Sequence, residues 1–247
     1  MSQDLSHILR DWPYDPRETI RLITADDGRE VLQLRLPLGL EQYELTGRPD
    51  GLRPMDEESY LHHLEHQAAR YVETHGSDIG FRIDHQEAVE LHSEGVLFYY
   101  RYLLLFQIND YRRVISDTEH NLRLCRLLER YCPDEEDRNA VLQFRPYILR
   151  MNAVAKAMAM LQGDLPGSPE AAVKLAIEEI DGLEEIDSPA FQLEKVRSVN
   201  YLRETLKQVA ASPGKESDKL KRELEAAVRE ENYERAAQLR DRLNSLG

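Results

Sequence analysis

The chain has 247 residues, 41% of them apolar and 32% charged, and a formal net charge of -14. The acid excess opposes nonspecific attraction to phosphate backbones and anionic membranes, because both depend on Lys and Arg displacing counterions. The apolar share is sufficient for a packed core, while no run reaches the roughly 18 apolar residues of a membrane span, the longest candidate being broken by Arg101.

Residues 1–17 carry the turn signals Trp12-Pro13 and Asp15-Pro16 and read as an irregular lead. They lack the basic-then-apolar order of a secretory signal, so a cytoplasmic protein is expected. Strand character follows over residues 19–24, 29–36 and 40–46, separated by Asp27-Gly28 and by Pro37 with Gly39. Leu32, Leu34 and Leu36 alternate with Gln33 and Arg35, which predicts an antiparallel meander with one apolar face, closed by the turn Gly47-Arg48-Pro49-Asp50-Gly51. Three short strands need a cover, and the helices downstream are expected to supply it.

From Asp56 the apolar period becomes helical. Asp56 is read as the cap of a helix over residues 56–74, with Tyr60, Leu61, Leu64, Ala68 and Tyr71 as its apolar positions and Gly76 past its end. Asp84 is read as the cap of a longer helix whose second half is apolar on nearly every side, as in the middle of a bundle. Asn109-Asp110-Tyr111 makes a turn, and a further helix runs to Cys132-Pro133. Asp134 opens another through Gln162, in which Pro146 predicts a kink or break. Helices over residues 170–185 and 189–210 follow. The successive helices loosely resemble stacked tetratricopeptide-like hairpins, although an irregular bundle explains the same leucines. The expected fold class is therefore mainly α within α+β: a β-meander region over residues 1–54, a helical body over 55–210, a linker at 211–217 marked by Ser212-Pro213-Gly214, and a two-helix hairpin over 218–247.

The hairpin carries the most specific signal. Leu220, Leu224, Ala227 and Val228 recur at i, i+4, i+7 and i+8, one face of a first helix. Glu230, Glu231 and Asn232 interrupt the pattern, and Tyr233 opens a second run of Ala236, Leu239, Leu243 and Leu246, spaced like a coiled-coil seam. Ala236 and Ala237 predict a close helix crossing, and Glu231 with Arg235 an i, i+4 ion pair. Two helices of this size bury too little surface to stand alone, since chains below about 40 residues do not offset their backbone entropy.

Asn232-Tyr233-Glu234, Ala236-Ala237 and Leu239-Arg240-Asp241 resemble the UVR motif, the helical hairpin at which the excision-repair proteins UvrB and UvrC meet; similar hairpins occur in ClpC-type chaperones and McsA-type kinase adaptors. The resemblance implies a protein-binding element over about the last thirty residues of the chain. Contact is expected through Leu220, Leu224, Val228, Tyr233, Ala236, Leu239 and Leu243, with Arg240 and Asp241 setting register. The partner would be a protein carrying a like hairpin or a second copy of the chain, giving a homodimer, with direct nucleic-acid binding disfavoured. Residues 212–217 lack the spacing of a phosphate loop, and no CxxC pair is present.

Little else points to chemistry. Cys125 and Cys132 are seven apart on one expected helix and read as buried thiols. Six of the eight histidines fall between His62 and His92, and His62 with His66 have the i, i+4 spacing of a two-imidazole metal site. A solvated helix face explains them as well. No catalytic set, metal or cofactor is therefore assigned, and an interaction or adaptor protein linked to repair or to a protease or kinase stress system is expected. The competing classes are a metal protein or enzyme centred on the histidines, and a repair accessory that touches nucleic acid.

Overall fold

In a computed structural model of the chain, the described residues are 4–210, 223–224, 227–229 and 232–244, with side chains described to 242. Strands β1 (Ile20–Thr24), β2 (Glu30–Leu36) and β3 (Gly39–Glu44) form an antiparallel sheet in sequence order. Leu32 stands opposite Leu22 on one side and Tyr43 on the other. Strand alternation therefore gathers Ile20, Leu32, Leu34 and Tyr43 on one face. That face packs on Tyr102, Leu105, Val114 and Ala159, so the helices cover the meander as its pattern requires.

The opposite face is covered too, which the one-sided reading of the strands did not anticipate. Gln33 and Arg35 are both buried there. Arg21 donates to Gln33 Oε1 at 2.8 and 2.9 Å, and Gln33 Nε2 donates to Gln42 Oε1 at 2.9 Å. Arg35 donates to the Trp12 carbonyl at 2.8 Å and to the Gly39 carbonyl at 2.9 Å. The Arg21 guanidinium also lies 3.9 Å from the Trp12 ring centroid. The lead is consequently not irregular. It contains helix α1 (Ser6–Asp11), whose start is held by Asp4 accepting from the Ser6 N–H at 3.0 Å and Oγ at 2.7 Å, and a carbonyl just beyond its end finds its donor in Arg35.

Helix α2 (Tyr60–His75) is capped by Ser59, whose Oγ accepts from the His62 N–H at 3.2 Å. Asp56 does not cap it: Met55 and Asp56 have φ of 51° and 62°, inside a single 3-10 turn (Pro54–Asp56), and a left-handed residue does not present the extended geometry of a cap. Gly76 ends the helix at φ 75°, a conformation that suits glycine. Helix α3 (His85–Gln107) opens on a reciprocal capping box, with Asp84 Oδ1 accepting from Glu87 N–H and Glu87 Oε2 from Asp84 N–H, both at 2.9 Å. Asn109 takes φ 61° in the turn, and Asp110 caps α4 (Tyr111–Tyr131).

The single helix expected over residues 134–162 is two, α5 (Glu135–Leu142) and α6 (Arg145–Leu161), broken at Gln143 and Phe144. Pro146 falls in the first turn of α6, where a missing N–H leaves no helical bond unmade. Helix α6 packs against α4, α7 (Pro169–Asp181) and α8 (Pro189–Ala210), and its buried Ala153, Ala155, Ala157 and Ala159 let those neighbours approach. Leu61, Leu64, Leu91, Leu128, Leu149, Val173, Ile180 and Leu202 form the main core. Helix α9 (Tyr233–Asn244) is the second of the hairpin. No helix among the described residues is long and apolar enough to cross a membrane.

Candidate functional site

Among the described residues the hairpin has an interior of its own. Ala227, Ala236 and Leu239 are buried there, with Leu224 packed against them. Asn232 builds the turn by two means. Its backbone N–H donates to the Ala227 carbonyl at 2.9 Å, the six-residue closure that ends many helices, and its Oδ1 accepts from the Arg235 N–H at 3.2 Å, capping α9. The sequence pattern marked Asn232 as a turn residue without revealing this double role.

The expected contact residues divide between the two sides of the hairpin. Leu224, Ala236 and Leu239 face its seam, whereas Val228 is 51% and Tyr233 69% exposed. Arg240 and Asp241 lie on the surface with charged atoms 3.7 Å apart. Ala237, expected at the crossing, is exposed. The linker at 211–217, Leu220, Glu231, Leu246 and the side chain of Leu243 lie outside the described residues.

The histidines are engaged separately. His62 Nδ1 is 3.3 Å from Glu58, His66 Nδ1 is 3.0 Å from Glu57, and the two rings are stacked with centroids 6.3 Å apart. His85 reaches Asp137 at 2.8 Å, and that carboxylate holds its imidazole above the usual histidine range. Among the described residues no three His, Cys, Asp or Glu side chains converge as a metal site would need. Cys125 and Cys132 are free and buried, and burial pushes the Cys125 thiol up to about 12, which removes its nucleophilic form at neutral pH.

A buried polar network joins the sheet to the helices. Glu94, fully buried, accepts from the Tyr60 N–H at 2.7 Å and the Leu61 N–H at 3.0 Å, two donors at the start of α2 that lack helical partners. Arg48 reaches the same carboxylate at 3.3 Å, and His120 Nε2 lies 3.2 Å away. Burial pushes the Glu94 carboxyl up, but His120 and the two backbone donors outweigh it and leave it below the usual carboxylate range. The His120 imidazole, stacked on Phe98 with centroids 3.6 Å apart, is pushed down by burial despite Glu94. The signal for this network was present in the chain: Glu94 and Arg101 interrupt the apolar stripe of Leu91, Phe98 and Leu105 on α3, and a charge on such a stripe needs a buried partner.

Together these elements define a mainly helical α+β protein with a charged two-helix hairpin near its carboxy-terminal end. The family model of the UvrB/uvrC motif, UVR, matches residues 215–247, the stretch that contains this hairpin. No curated protein and no solved structure matches the chain.

Proposed function

We propose that the protein is a non-enzymatic interaction or adaptor protein whose carboxy-terminal hairpin pairs with a like hairpin. The partner is a second copy of the chain or a protein of an excision-repair, protease or kinase system. The observation that carries this reading is the exposure of Val228 and Tyr233 on the outside of the hairpin. A pair of short helices is marginal in water, and covering the outward aliphatic and aromatic groups is the available source of further stabilisation. The UVR match supports the same reading, because that motif is a protein-binding element. Residues 211–217 serve as the tether between body and hairpin, and Arg240 with Asp241 set the register of pairing.

Light scattering of the full chain tests the proposal. Association is expected at micromolar concentration, and both the double variant Val228→Asp, Tyr233→Asp and deletion of residues 212–247 are expected to lower the number of chains per particle while the thermal transition of the body stays in place. Capture experiments with and without residues 212–247 then identify partners other than self. A wild-type chain that is monomeric and captures nothing through the hairpin would overturn the reading.

A further inference from the structure

The second half of α3 is apolar or aromatic on nearly every side, a pattern that belongs to a helix enclosed by others. The body encloses only part of it. Leu91, Phe98 and Leu105 are buried, whereas Val89, Val96 and Tyr100, at i, i+7 and i+11, form a row on the outward side and stay exposed.

The exposed surface continues across a cleft onto α8. Val96, Tyr100, Phe144 and Arg197 line that cleft together, and on its own helix Arg197 stands between Leu193 and Tyr201, one turn from each. Arg150, with its guanidinium 4.7 Å from the Tyr147 ring centroid and 5.4 Å from that of Tyr201, joins the cleft to α8. The six apolar side chains Val89, Val96, Tyr100, Phe144, Leu193 and Tyr201 are between 37% and 61% exposed. With about 150–250 Å² to each aromatic, six half-exposed groups present on the order of 500 Å² together. That is the upper end of what a monomer leaves open, and two such faces in contact bury about 1,000 Å², where specific interfaces begin.

Charge points to the occupant. With a formal charge of -14, two copies of the chain repel one another over most of their surface. Here they do not. Beyond Glu90, the acidic and basic side chains of α3 other than His92 are Glu94 and Arg101, and both are buried. On α8 the Glu194 carboxylate takes Arg197 at 3.3 Å, so that pair adds no net charge. A face depleted of charge and bearing tyrosines has the composition of an interface core. A basic partner would be drawn to the acidic surfaces and not to this one. The row also fits itself: antiparallel crossing about a two-fold axis near Gly95 brings Val89 of each copy against Tyr100 of the other, small against large, twice.

We infer that the face formed by α3 and α8 is the contact between two copies of this chain, with the α3 helices crossing antiparallel. This contact is separate from the hairpin, which lies on neither helix.

Sedimentation of the full chain carrying Val228→Asp and Tyr233→Asp, which removes the hairpin's exposed groups, tests the contact. Two chains per particle are expected, with Kd below about 10 μM. Adding Val96→Glu and Tyr100→Glu is expected to weaken association at least about tenfold, because carboxylates of one copy then face those of the other. Hydroxyl-radical labelling of the wild-type chain reads the same face without any substitution. Tyr100 and Tyr201 are expected to be oxidised less at about 100 μM than at about 1 μM protein. A hairpin variant that stays monomeric at about 100 μM, association undiminished by Val96→Glu and Tyr100→Glu, or Tyr100 labelling independent of concentration would each overturn the inference. Protection of Tyr233 without protection of Tyr100 would overturn it as well, while leaving the hairpin reading in place.

Discussion

Arg101 on α3 and Asp117 on α4 meet through two parallel hydrogen bonds of 2.8 and 2.6 Å, with both side chains only 3% exposed. The same guanidinium donates to the carbonyls of Glu44 at 2.6 Å and Gly47 at 2.9 Å, so one side chain ties the end of β3 to two helices. Removing one partner of such a pair strands the other charge in the core. Asp117→Ala is expected to cost about 3–5 kcal/mol, and a double Arg101→Met, Asp117→Leu variant considerably less. Urea unfolding measures both. A single variant within about 0.5 kcal/mol of wild type would mean the pair is not holding the structure together.

His120 gives stability a defined pH dependence. Burial depresses its imidazole below the ordinary 6.5, so the unfolded chain binds the proton more readily than the folded one. Its contribution is therefore complete above 6.5 and is lost as pH falls through the lower folded value. The slope can reach about 1.4 kcal/mol per pH unit for one proton. His85 acts with the opposite sign, being raised by Asp137, and its exposure lets solvent screen the effect. Unfolding of the wild type and His120→Phe between about pH 7 and pH 5 isolates the term, and equal slopes for the two proteins would contradict it.

Replacing Ser59 by Ala should destabilise the protein by about 1 kcal/mol, because its Oγ is the acceptor for the His62 N–H at the start of α2. Asp56→Ala should change stability by only a few tenths of a kcal/mol, consistent with its position one turn outside the helix. The ranking of the two variants in thermal unfolding discriminates the structural cap from the one suggested by the sequence.

Native protein treated with a thiol reagent at pH 8 should leave Cys125 unmodified, since burial both blocks access and lifts its thiol to about 12. Modification should appear only with unfolding in denaturant. Mass spectrometry after digestion reads the site, and rapid labelling of Cys125 in the folded protein would show that the α3–α4 core opens freely.

The elements were legible wherever a local signal had a local cause. Asp84 with Glu87, Asp110 after Asn109, and Gly76 each act within a few residues of themselves, and each could be read from the chain. The strands and their order also followed from alternation and turns. Ser59 was passed over because Asp56 offers the same chemistry three residues earlier, and only the backbone angles separate them. Helix α1 and the second face of the sheet were hidden for a different reason: Arg35 and Gln33 look like solvent-facing positions until Trp12 and Arg21 are brought to them across the fold. In the hairpin the seam was readable from periodicity, but which side of the first helix carries Val228 was not, since i+7 and i+8 are neighbours on one face and only one of them reaches the partner helix.

The amino-terminal segment is tied to the sheet by the Arg35 guanidinium at the Trp12 carbonyl and by the Arg21 guanidinium over the Trp12 indole. Water can substitute for most of those partners. Peeling residues 4–17 away would therefore hand the Arg21 and Arg35 guanidinium groups to solvent, which can hydrate both, at the cost of whatever cover the segment gives the buried Val31 beside them. The opposite face, held by Leu32 and Tyr43, offers no such tolerance.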